Sequence, residues 1–161
     1  MRNAIACGLG LGLGALALLG QSAQAQLLEK KALSLAAARK MVAAAEAEAA
    51  RNNWRGVVAV VDEGGWIILL ERMDHPAMTA SVELAEGKAR SAALFKKPTQ
   101  ALEDAINHGR YAAITARGFI EMQGRFPVVV DGEVIGAIGA SFATPEEDDQ
   151  VAKAGLAALR E

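Results

Sequence analysis

Twice in this chain two apolar runs flank a short turn. Val57–Val61 and Trp66–Leu70 enclose Asp62-Glu63-Gly64-Gly65, and Phe126–Val130 and Val134–Ala140 enclose Asp131-Gly132. Runs rich in β-branched residues around glycine-bearing turns predict β-hairpins, and Asp-Gly is a strong type I′ signal. The runs scarcely alternate with polar residues. A strand of that kind is covered on both faces, so the first hairpin calls for a helix on one side and another subunit on the other.

The rest of the chain supplies the helices. Ser34 is an N-cap for a helix running to about Arg51, with Leu35, Ala38, Met41, Val42 and Ala45 on one face and Asn52-Asn53 as the stop. Pro76 keeps His75 out of helical geometry. A second helix is predicted from about Ser81 to Phe95, broken by Lys96-Lys97-Pro98. A short third helix runs to about Asn107, with Gly109 as its C-terminal glycine. Tyr111 to Arg125 carries no clear periodicity. Thr144-Pro145-Glu146-Glu147 opens the last helix, which runs to about Leu159, with a cap, a proline at the first position and acids in the first turn. The order is α-β-β-α-α-β-β-α, an α+β domain with an antiparallel sheet flanked by helices.

Residues 1–25 read as a secretory leader: Arg2, an apolar and glycine-rich run from Ala4 to Leu19, and a small-x-small site at Ala23-Gln24-Ala25. Cleavage after Ala25 leaves residues 26–161 as a single domain, with a periplasmic or secreted location and no membrane insertion after the leader. The only cysteine, Cys7, would leave with the leader, so the domain relies on its core rather than on disulfides. Loss of Arg2 takes the formal charge from −2 to −3. No basic stripe stands out, which argues against a nucleic-acid partner. With only two tryptophans, one tyrosine and four phenylalanines, alanine and branched aliphatics must fill the core. Alanine-rich helices can approach a sheet closely.

Three separated stretches carry a resemblance: VVDEGGWIILLERMD, EGKARSAALFKKPT and PVVVDGEVIGAIGASFATPEEDDQVAKAGLAAL. In this order they resemble the GlcG/HbpS-like haem-binding family, also called the haem-degrading domain family, over about Leu33 to Leu159. The resemblance implies a profilin-like α/β/α domain, assembly into a homo-oligomer, and haem as ligand, alongside relatives tied to glycolate-type metabolism. Two places depart from the usual family pattern. His75-Pro76-Ala77 stands where Gly-Ala-Pro is usual, and His108 interrupts a usual double glycine beyond Asn107. Both histidines of the chain therefore replace small residues.

Histidine is the commonest metal ligand, and haem iron accepts His or Met. His75, near Met73 and Met78, is the leading candidate iron ligand, and His108 the second. Arg72, Lys88 and Arg90 are candidate partners for haem propionates. The alternative for His75 is an exposed loop residue, and for His108 a side chain favoured by a helix C-terminus. Glu83, Glu86 and Arg90 share a helix face and suit a salt-bridge ladder. Gly87 in mid-helix costs about 1 kcal/mol relative to alanine, so a neighbour should need the space.

Gly136, Gly139 and Ser141, ahead of a helix N-terminus, suit anion binding, a strand bulge or a subunit contact. Glu146-Glu147-Asp148-Asp149 point around a helix and complement its dipole rather than converge on a metal. Ser91, Ser141 and Thr144 have no histidine at a supporting spacing, so a cofactor-free enzyme is the weakest class. The leading expectation is an exported haem-binding protein, acting as carrier, buffer or sensor accessory. The alternatives are a binding module for a small carboxylate, held by Arg72, Lys88 and Arg90, and an enzyme acting on such an acid or on haem.

Overall fold

A computed structural model describes residues 29–159. The leader assigned to residues 1–25, Cys7 included, lies outside the described residues. The elements are α1 (Leu35–Arg51), β1 (Val57–Asp62), β2 (Ile67–Arg72), α2 (Ser81–Phe95), α3 (Gln100–Asn107), a 3-10 turn at Tyr111–Thr115, β3 (Arg125–Val130), β4 (Glu133–Ser141) and α4 (Pro145–Ala157). The order is the one the sequence predicts. The strands form one antiparallel sheet in the order β2-β1-β4-β3, so each hairpin pairs internally and the two meet along β1 and β4.

Strand alternation divides the core. Val58 and Val60 face α1 and α4, in a cluster with Met41, Val42, Ile138 and Phe142. Val57, Ala59 and Val61 face α2, in a cluster of alanines from that helix. The alanine bias has the geometric use expected of it. A Cβ at Gly139 would stand 2.5 Å from the Ala85 carbonyl and 2.7 Å from the Ala89 amide, so α2 lies almost directly on the sheet. Gly87 obeys the same logic on the helix's outer side, where the Ile120 side chain fills the place of its missing methyl.

The local signals operate as read. The Ser34 hydroxyl accepts from the Ala37 amide and the Thr144 hydroxyl from the Glu147 amide, while the Glu147 carboxylate accepts from the Ala143 amide just ahead of the cap. Asp131 and Gly132 both have positive φ, as a two-residue type I′ hairpin requires. The Asp62 carboxylate accepts from the amides of Gly64 and Trp66 and holds the other turn.

The structure corrects two expectations. β1 is buried along both faces, but β2 is an edge strand and is only half-covered, with Trp66 and Ile67 exposed at its start. Continuous apolar sequence could not separate the central strand of the hairpin from the outer one. The acid-rich start of α4 is the second. Asp148 does not face solvent to complement the dipole but is buried, 3% exposed. Among the described residues no helix is long and apolar enough to cross a membrane.

Candidate functional site

At the end of the sheet where β1 begins and β2 ends, the chain leaves β2 and is pinned back. The Met73 amide donates to the Gly56 carbonyl at 3.0 Å and the Ala77 amide to the Arg55 carbonyl at 3.1 Å. Between these bonds His75 takes φ +53°, a left-handed conformation that few non-glycine residues adopt, and its side chain is exposed. Backbone strain of this kind persists only where the surroundings hold it.

The loop forms one wall of an open cleft of about 780 Å³. Its other wall is α1, through Ala43, Ala47 and Ala50, with Glu46 among them, and Arg55, Met73, Asp74 and His75 stand opposite. Spacings of four and three put the alanines on one stripe of α1, beside its buried stripe of Ala38, Met41, Val42, Ala45 and Ala49. Side chains this short make a flat apolar platform. Partial burial and the nearby Glu71 carboxylate push the Glu46 carboxyl above its ordinary range.

The six candidate residues do not converge. Met73 and His75 share the cleft. Arg72 pairs across the ladder with Val57, which belongs to the α2-side cluster, so alternation turns Arg72 to the face away from the cleft. The cation the cleft does have is Arg55, which the sequence reading passed over. The Trp54-Arg55-Gly56 string offered one signal: Gly56 must be small because a Cβ there would strike the Phe142 ring at 2.6 Å, fixing Arg55 at the strand's entry.

Lys88 is no surface anion contact: it is 2% exposed and its ammonium lies 2.5 Å from the Asp148 carboxylate. Arg90 joins no ladder with Glu83 and Glu86. Its guanidinium lies 5.4 Å from the Trp66 ring centre and reaches the Gly65 carbonyl at 3.4 Å. His108 caps the end of α3, where its Nδ1 sits 2.6 Å from the Asp104 carbonyl, within α3 itself.

The same sheet end, toward β4 and β3, holds a buried polar cluster that the sequence did not reveal. Asp148 takes the Lys88 ammonium on one oxygen and the Phe142 amide, also at 2.5 Å, on the other. Burial pulls the Lys88 amine down and pushes the Asp148 carboxyl up, while their mutual attraction opposes both shifts. Arg125 is fully buried, and desolvation lowers its guanidinium to about 9 against the pull of Glu103 and Asp148. Ser91 and Thr99 bind the irregular segment before β3: the Ser91 hydroxyl accepts from the Ile120 amide and the Thr99 hydroxyl donates to the Met122 carbonyl. The cluster is a brace between α2, that segment and α4.

Residues 33–157 match the profile of the family described as haem degrading protein HbpS-like. The chain belongs to the HbpS-like family. Protein GlcG of Escherichia coli strain K12 is 44% identical over 112 residues, 70% of this chain and 83% of that protein. A double mutant of Streptomyces reticuli HbpS superposes with a TM-score of 0.78 at 27% identity, covering 99% of each chain. The structure of a PduOC–haem complex has a TM-score of 0.73 at 29% identity, over 80% of this chain and 95% of that one. In this HbpS-like chain, His75 is the residue that the loop holds in left-handed geometry over the cleft.

Proposed function

We propose that this HbpS-like protein binds haem in the cleft between α1 and the 73–77 loop, with His75 as the iron ligand. The observation that carries the reading is His75 held by a pinned loop beside an apolar platform. The residues suit the group. Ala43, Ala47 and Ala50 offer a surface on which a flat macrocycle can lie, Met73 adds a polarisable wall, and Arg55 supplies a cation for a propionate. The family's description and the haem complex of PduOC support the choice of ligand. Bound haem would supply iron as a Lewis-acidic and redox centre. The chain's own part is to present the imidazole, exclude water from one side and orient the acid groups.

Export through residues 1–25 is part of the proposal, and secreted material should begin at Gln26 on N-terminal sequencing. The open edge of β2, with Trp66 and Ile67 exposed, gives surface for self-association, checked by sedimentation.

Haemin titration followed by absorbance tests the reading, with wild type beside His75→Ala, Arg55→Glu and His108→Ala. The expected result is saturation at a fixed stoichiometry, a Soret band altered in His75→Ala, weaker binding in Arg55→Glu and no change in His108→Ala. Absence of saturation removes haem as the ligand, and a band indifferent to His75→Ala removes this site.

A further inference from the structure

On the far side of α2, a second cavity of about 340 Å³ lies between the end of that helix, α3 and the 111–115 turn. Its surroundings are unusual for a folded domain. α3 has apolar residues at Ala101, Leu102, Ala105 and Ile106, yet none of its eight residues is buried, and neither is any residue of the turn. A short helix in water is held by the packing of its apolar face. Here that face, through Leu102 and Ala105, borders open space.

The cavity has a firm floor and a charged mouth. Phe95 lines it and packs edge-on against Phe119, with ring centres 4.9 Å apart, so its ring is fixed. Lys97, one residue past the left-handed end of α2, and Arg110, at the start of the turn, are both exposed and line it. No described residue forms a salt bridge with either. Glu121 is the one acid on the wall. Two cations against one carboxylate leave a surplus of one positive charge, beside apolar walls and within the size range of small-molecule sites.

We propose that this cavity is a second ligand site, for a small monocarboxylate with an apolar body. The carboxylate takes the fork of Arg110, with Lys97 beside it, and the body fills the space between Phe95 and Leu102, completing the packing of α3. The site is separate from the cleft of His75, shares no residue with it, and stands whether or not haem binds there.

The experiment is calorimetric titration of the protein with phenylacetate, phenylacetamide and acetate, with hydrogen exchange read over residues 100–116. Phenylacetate is expected to bind saturably and to raise protection of α3. The neutral amide and Arg110→Gln should each weaken binding by about tenfold, the loss of one charge-assisted contact. Acetate should bind weakly for lack of an apolar body, and His75→Ala should bind phenylacetate as wild type does. Equal binding of acid and amide, wild-type binding by both Arg110→Gln and Lys97→Gln, or no binding at all would overturn the proposal. So would α3 protection that rises with protein concentration alone, which would make a second copy the occupant.

Discussion

The Lys88 ammonium and the Asp148 carboxylate meet 2.5 Å apart with almost no exposure, joining the helix on one face of the sheet to the first turn of a helix on the other. Asp148 also holds the Phe142 amide, so one carboxylate ties together α2, α4 and the end of β4. Removing one partner strands a buried charge. Lys88→Met and Asp148→Asn are each expected to cost about 3–5 kcal/mol in urea unfolding at pH 7. Asp148→Asn should be the worse of the two, because it leaves Lys88 unpaired and also weakens the negative field that Arg125 draws from Glu103, Asp148 and Asp149. The double variant Lys88→Met/Asp148→Asn should recover part of the loss, as a double-mutant cycle would show; strict additivity would contradict the coupling.

Gly139 tests the close approach of α2. Alanine there would press its methyl into the backbone of Ala85 and Ala89, atoms that cannot rotate away. Gly139→Ala should destabilise by about 1–3 kcal/mol although alanine suits a strand better than glycine. Thermal unfolding that matched wild type would show that the helix can lift off the sheet without loss.

Glu46 gives a pH signature. Its folded-state pKa lies above its ordinary value because it is partly desolvated and faces Glu71. Its stabilising contribution is therefore present below the unfolded pKa and is lost as pH rises through the folded one. Glu46→Gln removes that loss. The variant should melt above wild type at pH 7 to 8, and the gap should close as the pH falls to about 4, near the ordinary glutamate value. A gap that held constant across this range would mean that the carboxylate pair contributes nothing. Exposure of the cleft makes the effect modest.

Much of the fold was legible locally. The two hairpins, the Ser34 and Thr144 caps, the Asp131-Gly132 turn and the small residue demanded at position 87 all follow from interactions within a few residues, or from the absence of a side chain. The site was legible only in part. His75 and Met73 share the cleft because they are near neighbours in sequence. Arg72, equally near, falls on the wrong face because each step along a strand reverses the side chain. Arg55, separated from His75 by a whole hairpin, becomes its neighbour only when β2 folds back on β1.

The amino-acid sequence by itself determined the elements, their order, their caps and turns, and the family, because these depend on short-range periodicity and on strings of residues that can be read in line. Tertiary structure alone decided which charges are buried and which are free. Lys88 and Asp148 look like surface residues of two helices, and they are 60 positions apart. Only the sheet end that brings both helices together removes them from water and makes each the partner of the other, since desolvation and Coulomb attraction depend on distance in space and not on distance along the chain.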